Sequence, residues 1–122
     1  MQKSILVVDD QPGIRLLLVE VLKNEGYRVA TAETGKEALD QLFQKTFDLL
    51  MLDYKLPVID GSEVIRRLKQ ENISVPAIIM SGLAEEVTKK FADYPNVKEV
   101  ISKPFNITDI CSITNGIIGQ GK

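Results

Sequence analysis

Short apolar runs and stretches of helical periodicity alternate five times along this chain, and that alternation limits its fold more than any other feature. The apolar runs are Ser4–Val8, Arg28–Ala32, Asp48–Leu52, Pro76–Met80 and Val97–Ile101. Several lack polar alternation, as strands covered on both faces do. The first intervening segment carries Ile14, Leu17, Leu18, Val21 and Leu22 at i, i+3, i+4, i+7 and i+8, one face of a helix. Gly26 then stops it, as a glycine past the last turn often does. Gly35 to Phe43 groups Ala38, Leu39 and Leu42, and Gly61 to Glu71 groups Val64, Ile65 and Leu68. Glu85 to Ala92 is short, with Val87 and Phe91 one turn apart. The last helix is expected from about Asn106, with Ile107, Ile110, Cys111, Ile117 and Ile118 on one stripe.

Strands alternating with helices of this length imply right-handed crossovers and a parallel sheet. Five such units in 122 residues fit an α/β, flavodoxin-like (βα)5 fold, a doubly wound five-stranded sheet of order 2-1-3-4-5. The length fits one domain, 1–122, and shows no internal repeat, low-complexity tract or linker. Folding should bury roughly two-thirds of the unfolded chain's surface, enough for a core without staples. The final Gly119-Gln120-Gly121-Lys122 is expected to fray.

Composition removes several function classes. There are 15 basic and 17 acidic residues, a net charge of −2, and no basic stripe, so direct nucleic-acid binding is not expected. The absence of histidine excludes His-based catalysis and most zinc sites. A single cysteine, Cys111, cannot form an internal disulfide and suits a reducing cytoplasm. No apolar run reaches the length of a membrane span, and Asp9 and Asp10 leave no room for a signal-peptide core.

Four charged residues stand where three of the runs end. Asp9 and Asp10 follow the first run, Asp53 the third and Lys103 the fifth. In a parallel sheet these positions share the carboxyl edge, and strands 1 and 3 flank the point where the order reverses and ligands bind. Crowded carboxylates raise one another's pKa values. A divalent cation relieves the conflict, and Mg²⁺ favours a few carboxylates, retained waters and phosphate oxygens. A lysine at the same edge would neutralise transferred phosphate charge. Ser81-Gly82 follows the fourth run and supplies a hydroxyl able to donate to a phosphoryl oxygen. Each residue also has a plainer reading. Asp10, before Gln-Pro-Gly, is placed to cap the first helix, Asp60 the third and Ser81 the short fourth. A lysine at a strand end is usually just solvated, and the bond before Pro104 can be cis or trans. The combination, in order and at successive strand ends, points to a phosphoryl site.

These residues lie in segments that resemble the receiver domains of bacterial two-component response regulators, over essentially the whole chain. The segments are Val7-Val8-Asp9-Asp10, Leu52-Asp53-Tyr54-Lys55-Leu56-Pro57-Val58-Ile59-Asp60-Gly61, Ile79-Met80-Ser81-Gly82 and Ser102-Lys103-Pro104-Phe105. The resemblance implies that Asp53 accepts a phosphoryl group from a sensor histidine kinase or a histidine phosphotransferase. It implies Mg²⁺ at Asp9, Asp10, Asp53 and the backbone carbonyl of Lys55. It makes Ser81 the hydroxyl that moves toward the product and Lys103 the phosphate-pairing lysine. Asp53, Ser81 and Lys103 would then act only on the chain's own phosphorylation and dephosphorylation, in a regulatory protein rather than an enzyme. The stretch from Asp10-Gln11-Pro12-Gly13-Ile14-Arg15 through Glu25-Gly26-Tyr27, with Lys55, is similar to the single-domain phosphorelay regulators of sporulating bacilli. Val100 departs from the family, which often has Tyr or Phe three residues before the lysine as a rotamer switch. Leu56 for methionine and Ser81 for threonine are conservative departures.

Three other readings compete. A haloacid-dehalogenase-type phosphatase uses Asp, Mg²⁺ and lysine, but needs Asp-x-Asp where this chain has Asp9-Asp10-Gln11. A flavodoxin needs a phosphate loop there, and two aspartates would repel a phosphate. An excised receiver from a longer DNA-binding regulator or hybrid kinase keeps the site and changes the output. Gln11, Pro12, Ile14 and Leu17 are expected to dock the phosphodonor's helix, with Leu16 and Val19 outward. A downstream protein target is expected, with the chain a monomer or a phosphorylation-dependent dimer. Lys55 and Leu83 flank the acceptor and are expected to hinder an attacking water.

Overall fold

A computed structural model describes residues 2–119. The expected tail beyond Gly119 lies outside them. In chain order the elements are β1 (Ser4–Val8), α1 (Pro12–Asn24), β2 (Arg28–Ala32), α2 (Gly35–Gln44), β3 (Leu49–Asp53), α3 (Gly61–Gln70), β4 (Ala77–Ser81), α4 (Ala84–Lys90), β5 (Val97–Ser102) and α5 (Ile107–Ile118). All strand pairs are parallel, in the order β2-β1-β3-β4-β5. Every residue of the central strands β3 and β4 is buried, whereas the edge strands expose Arg28, Thr31, Lys98 and Glu99. Position in the sheet thus explains why some apolar runs are unbroken and others mixed.

The strand period of two splits the core into two layers. Leu6, Val8, Leu50, Leu52 and Ile79 pack with Ala38, Leu42, Val64, Leu68 and Val87 from α2, α3 and α4. Ile5, Val7, Leu49, Met51, Ile78 and Met80 pack with Leu18, Leu22 and Ile110 from α1 and α5.

Helix ends follow local chemistry. Gly26, at φ 96°, closes α1: its N–H donates to the Lys23 carbonyl (2.9 Å) and Tyr27 N–H to that of Leu22 (3.2 Å). This is the paired C-terminal bonding that a left-handed glycine permits. Asp60 caps α3 as expected, accepting from Glu63 N–H at 3.0 Å. Asp10 does not cap α1. Gln11 is its N-cap, no side chain bonds the first turn, and Pro12 begins the helix, where a missing N–H costs nothing.

Two strand boundaries shift in a way that bears on the cleft. β3 and β4 run one residue further than expected, so Asp53 and Ser81 are the last residues of strands rather than the first of loops. Asp48 lies outside β3, and its carboxylate accepts Ser4 N–H at 2.8 Å. In α5 the buried line is Ile110, Thr114 and Ile118, while Ile107 is 43% exposed. Among the described residues no helix is long and apolar enough to cross a membrane.

Candidate functional site

Parallel pairing carries the ends of β1, β3, β4 and β5 to one edge. There Asp9 N–H donates to the Ala32 carbonyl (3.2 Å), Tyr54 N–H to that of Met80 (2.9 Å) and Lys103 N–H to that of Ser81 (2.9 Å). The edge opens into a cleft of about 790 Å³ walled by Asp10, Asp53, Ser81 and Lys103, with Lys55 and Leu83 also lining it. Asp9 lies beneath, fully buried.

Asp9 Oδ1 accepts Gln11 N–H at 2.9 Å, and Oδ2 accepts Lys103 Nζ at 2.8 Å. The same ammonium stands 3.3 Å from Asp53 Oδ2, while Asp53 Oδ1 accepts Lys55 N–H at 3.4 Å. Asp10 is exposed. One oxygen from each of Asp9, Asp10 and Asp53 lies within 4.8 Å of the others. A single ammonium cannot neutralise three carboxylates held so closely. Burial, then the charge of Asp9, raises the Asp53 pKa, and Lys103 and Lys55 N–H offset this only in part. Burial works against the Lys103 ammonium, but its bond to Asp9 and the Asp53 charge outweigh that and raise its pKa. An all-oxygen donor set with excess negative charge fits a hard divalent cation.

Ser81 is buried, and its Oγ accepts Leu83 N–H at 3.0 Å. That bond uses a lone pair and leaves the O–H to donate. The hydroxyl closes a turn rather than capping α4, whose N-cap is Leu83, with no side-chain bond. The Lys103–Pro104 peptide is cis. Gly61 is where α3 approaches the acceptor strand: a Cβ there would stand 2.9 Å from Tyr54 Cα. Lys55 is exposed and Leu83 is 62% exposed. Of the docking residues, Gln11 and Pro12 are exposed, but Ile14 and Leu17 are half-buried; Leu16, at 71%, is the exposed leucine of α1.

Sequence reasoning missed two contacts around the cleft. Arg15 donates to the Asp9 carbonyl at 2.8 Å, and Lys90 donates to the Tyr54 hydroxyl at 2.7 Å, with Phe91 edge-on to that ring at 6.2 Å. A cation near the start of a helix runs against its dipole, and Arg15 could have been noticed on that ground. Nothing in the spacing of Tyr54 and Lys90 marks them as neighbours.

Residues 5–115 match the family model described as response regulator receiver domain. Sporulation initiation phosphotransferase F of Bacillus subtilis is 38% identical over 90% of this chain and 89% of its own length. The alkaline phosphatase synthesis transcriptional regulatory protein PhoP of B. subtilis is 35% identical over the whole chain, which spans 51% of PhoP. Among solved structures, Thermotoga maritima TrrA, determined in complex with Mg²⁺-BeF, is 33% identical with a TM-score of 0.79, covering 94% of this chain and 98% of that one. Chemotaxis protein CheY4 of Vibrio cholerae superposes with a TM-score of 0.87 at 25% identity, covering 96% and 99%. The strand order, the acidic cleft at its reversal point and a family match across nearly all the described residues agree, and the chain belongs to the response regulator receiver domains of two-component and phosphorelay signalling.

Proposed function

We propose that Asp53 is the phosphoryl acceptor of a single receiver module spanning residues 1–122, acting in the cytoplasm. The observation that carries this is Asp53 itself: a buried carboxylate ending a central strand, open to the cleft, beside Lys103. An Asp53 carboxylate oxygen attacks phosphorus as the bond to the donor's histidine nitrogen breaks, and the imidazole leaves. Lys103 can follow the negative charge from the carboxylates to the phosphoryl oxygens, and the free O–H of Ser81 donates to one of them. Positioning and charge neutralisation do most of the work in such transfers. The donor set of Asp9, Asp10, Asp53 and the Lys55 carbonyl would hold Mg²⁺, which when bound neutralises phosphoryl charge.

The donor would be a sensor histidine kinase or a histidine phosphotransferase, meeting the cleft from the α1 side. Leu16 is the better probe of that surface than Ile14, which packs into the core. Lys55 and Leu83 at the cleft would shield phospho-Asp53 from water, so slow autodephosphorylation and onward relay are the preferred output. B. subtilis phosphotransferase F, matched along most of both chains, favours relay over direct control of an attached domain. The test is intact mass after acetyl phosphate and Mg²⁺. Wild type should gain one phosphoryl group, and Asp53→Asn none. A gain that survives in Asp53→Asn would move the acceptor elsewhere.

A further inference from the structure

We infer that Arg15 is a positioning residue for the cation site, acting through the backbone that joins Asp9 to Asp10. The inference rests on the Mg²⁺ reading of the acidic cluster. Arg15 lies near the start of α1, where the helix dipole disfavours a cation, and its side chain is only 14% exposed. A guanidinium held there needs compensating partners. It has two: Nη1 donates to the Asp9 carbonyl at 2.8 Å and Nη2 to Glu33 Oε1 at 2.8 Å.

The carbonyl it holds belongs to the Asp9–Asp10 peptide, which is planar. Fixing that oxygen fixes the plane from which Asp10 departs. Asp9 needs little further help, because its N–H and both carboxylate oxygens are already bonded to Ala32, Gln11 and Lys103. Asp10 differs: its exposed carboxylate receives no hydrogen bond from any described residue. Only its backbone is held in place, and Arg15 braces that backbone against the β2–α2 loop through Glu33.

Arg15 has two opposing effects on a bound cation. As a charge it repels one; as a brace it prearranges the carboxylates. Its charge is offset by the Glu33 carboxylate bonded to it at 2.8 Å, so the repulsion is modest. Groups that orient metal ligands typically change affinity about 10- to 100-fold. Bracing should win, and removing Arg15 should weaken binding even though it removes a positive charge.

The experiment is Mg²⁺ titration by calorimetry of the full, metal-free chain, with urea unfolding to confirm that each variant is folded. Arg15→Met should weaken Mg²⁺ roughly tenfold. Arg15→Lys keeps the charge but loses the two-pronged geometry, and should weaken it as well. Glu33→Gln, at an exposed position, should cause a smaller loss in the same direction and serves if the Arg15 variants fail to fold. Acetyl phosphate labelling of each variant should return to the wild-type rate at saturating Mg²⁺, which general damage to the fold would not allow. Unchanged or tighter Mg²⁺ binding in the folded variants would overturn the bracing role. Wild type that binds no Mg²⁺ would overturn the metal reading, and the brace with it.

Discussion

Asp9 and Ser81 both stand where a strand meets the cleft, yet they are held very differently. The N–H, carbonyl and both carboxylate oxygens of Asp9 are bonded, to partners on β2, α1, the loop before α1 and the segment after β5. The Ser81 carbonyl accepts Lys103 N–H, but its side chain makes one bond, to Leu83 two residues on. The helices beyond differ in the same sense. α1 has 13 residues, a paired glycine stop and a face buried against the sheet, whereas α4 has seven residues; neither carries a side-chain cap. The β1–α1 wall is built to hold charges still. The β4–α4 wall has fewer ties, and so a smaller cost for rearranging when a phosphoryl group arrives. Tyr54 links the acceptor loop to α4, through Lys90 and Phe91.

The largest effect should come from the group that serves the fixed wall and the acceptor together. Lys103→Met removes the ammonium shared by Asp9 and Asp53 and should slow acetyl phosphate labelling about 100-fold, the usual scale for losing one charge-stabilising donor. A rate within a few-fold of wild type would show that the cation site alone carries the transfer. Next comes the other wall. Lys55→Asn combined with Leu83→Glu should hasten loss of the phosphoryl group several-fold after the donor is removed, followed by intact mass. An unchanged decay would show that neither side chain shields the acceptor.

A smaller effect concerns stability. Burial and Asp9 raise the Asp53 pKa above its usual 3.8. Between the unfolded and folded values the native state binds more protons than the unfolded one, so stability falls as pH rises through that window. The loss is complete above the folded pKa. Metal-free Asp53→Asn should therefore have a higher urea midpoint than wild type at neutral pH, with the gap closing as pH falls toward the unfolded value. Mg²⁺ should narrow the neutral-pH gap by stabilising wild type more. A mutant less stable than wild type throughout would mean that Lys103 more than compensates the buried charge.

Much of this arrangement was legible in the chain. Asp9, Asp10, Asp53, Ser81 and Lys103 could be assigned to one edge because each follows a strand-like run, and parallel order alone brings strand ends together. The β3 and β4 boundaries were less legible, because a polar residue can end a strand as readily as begin a loop. Asp10 has the chemistry of a cap but stands one residue before the true N-cap of α1, Gln11. Thr114 is buried and Ile107 exposed because the apolar stripe of α5 turns with the helix, which a residue count from an uncertain start does not reproduce. Arg15 and Lys90 act across elements, on a carbonyl six residues back and a hydroxyl on another loop, and no local pattern records such contacts.

The contrast between the walls is tested most directly by amide hydrogen exchange, read by mass spectrometry, with Mg²⁺ alone and with Mg²⁺ plus acetyl phosphate. The phosphoryl gain on Asp53 is verified in the same samples. Adding the phosphodonor should change exchange in the β4–α4 loop and α4 while leaving Asp9 to Leu22 as Mg²⁺ alone leaves it. A phosphoryl-dependent change centred on the β1–α1 segment, with α4 untouched, would contradict a fixed β1–α1 wall facing a yielding β4–α4 wall.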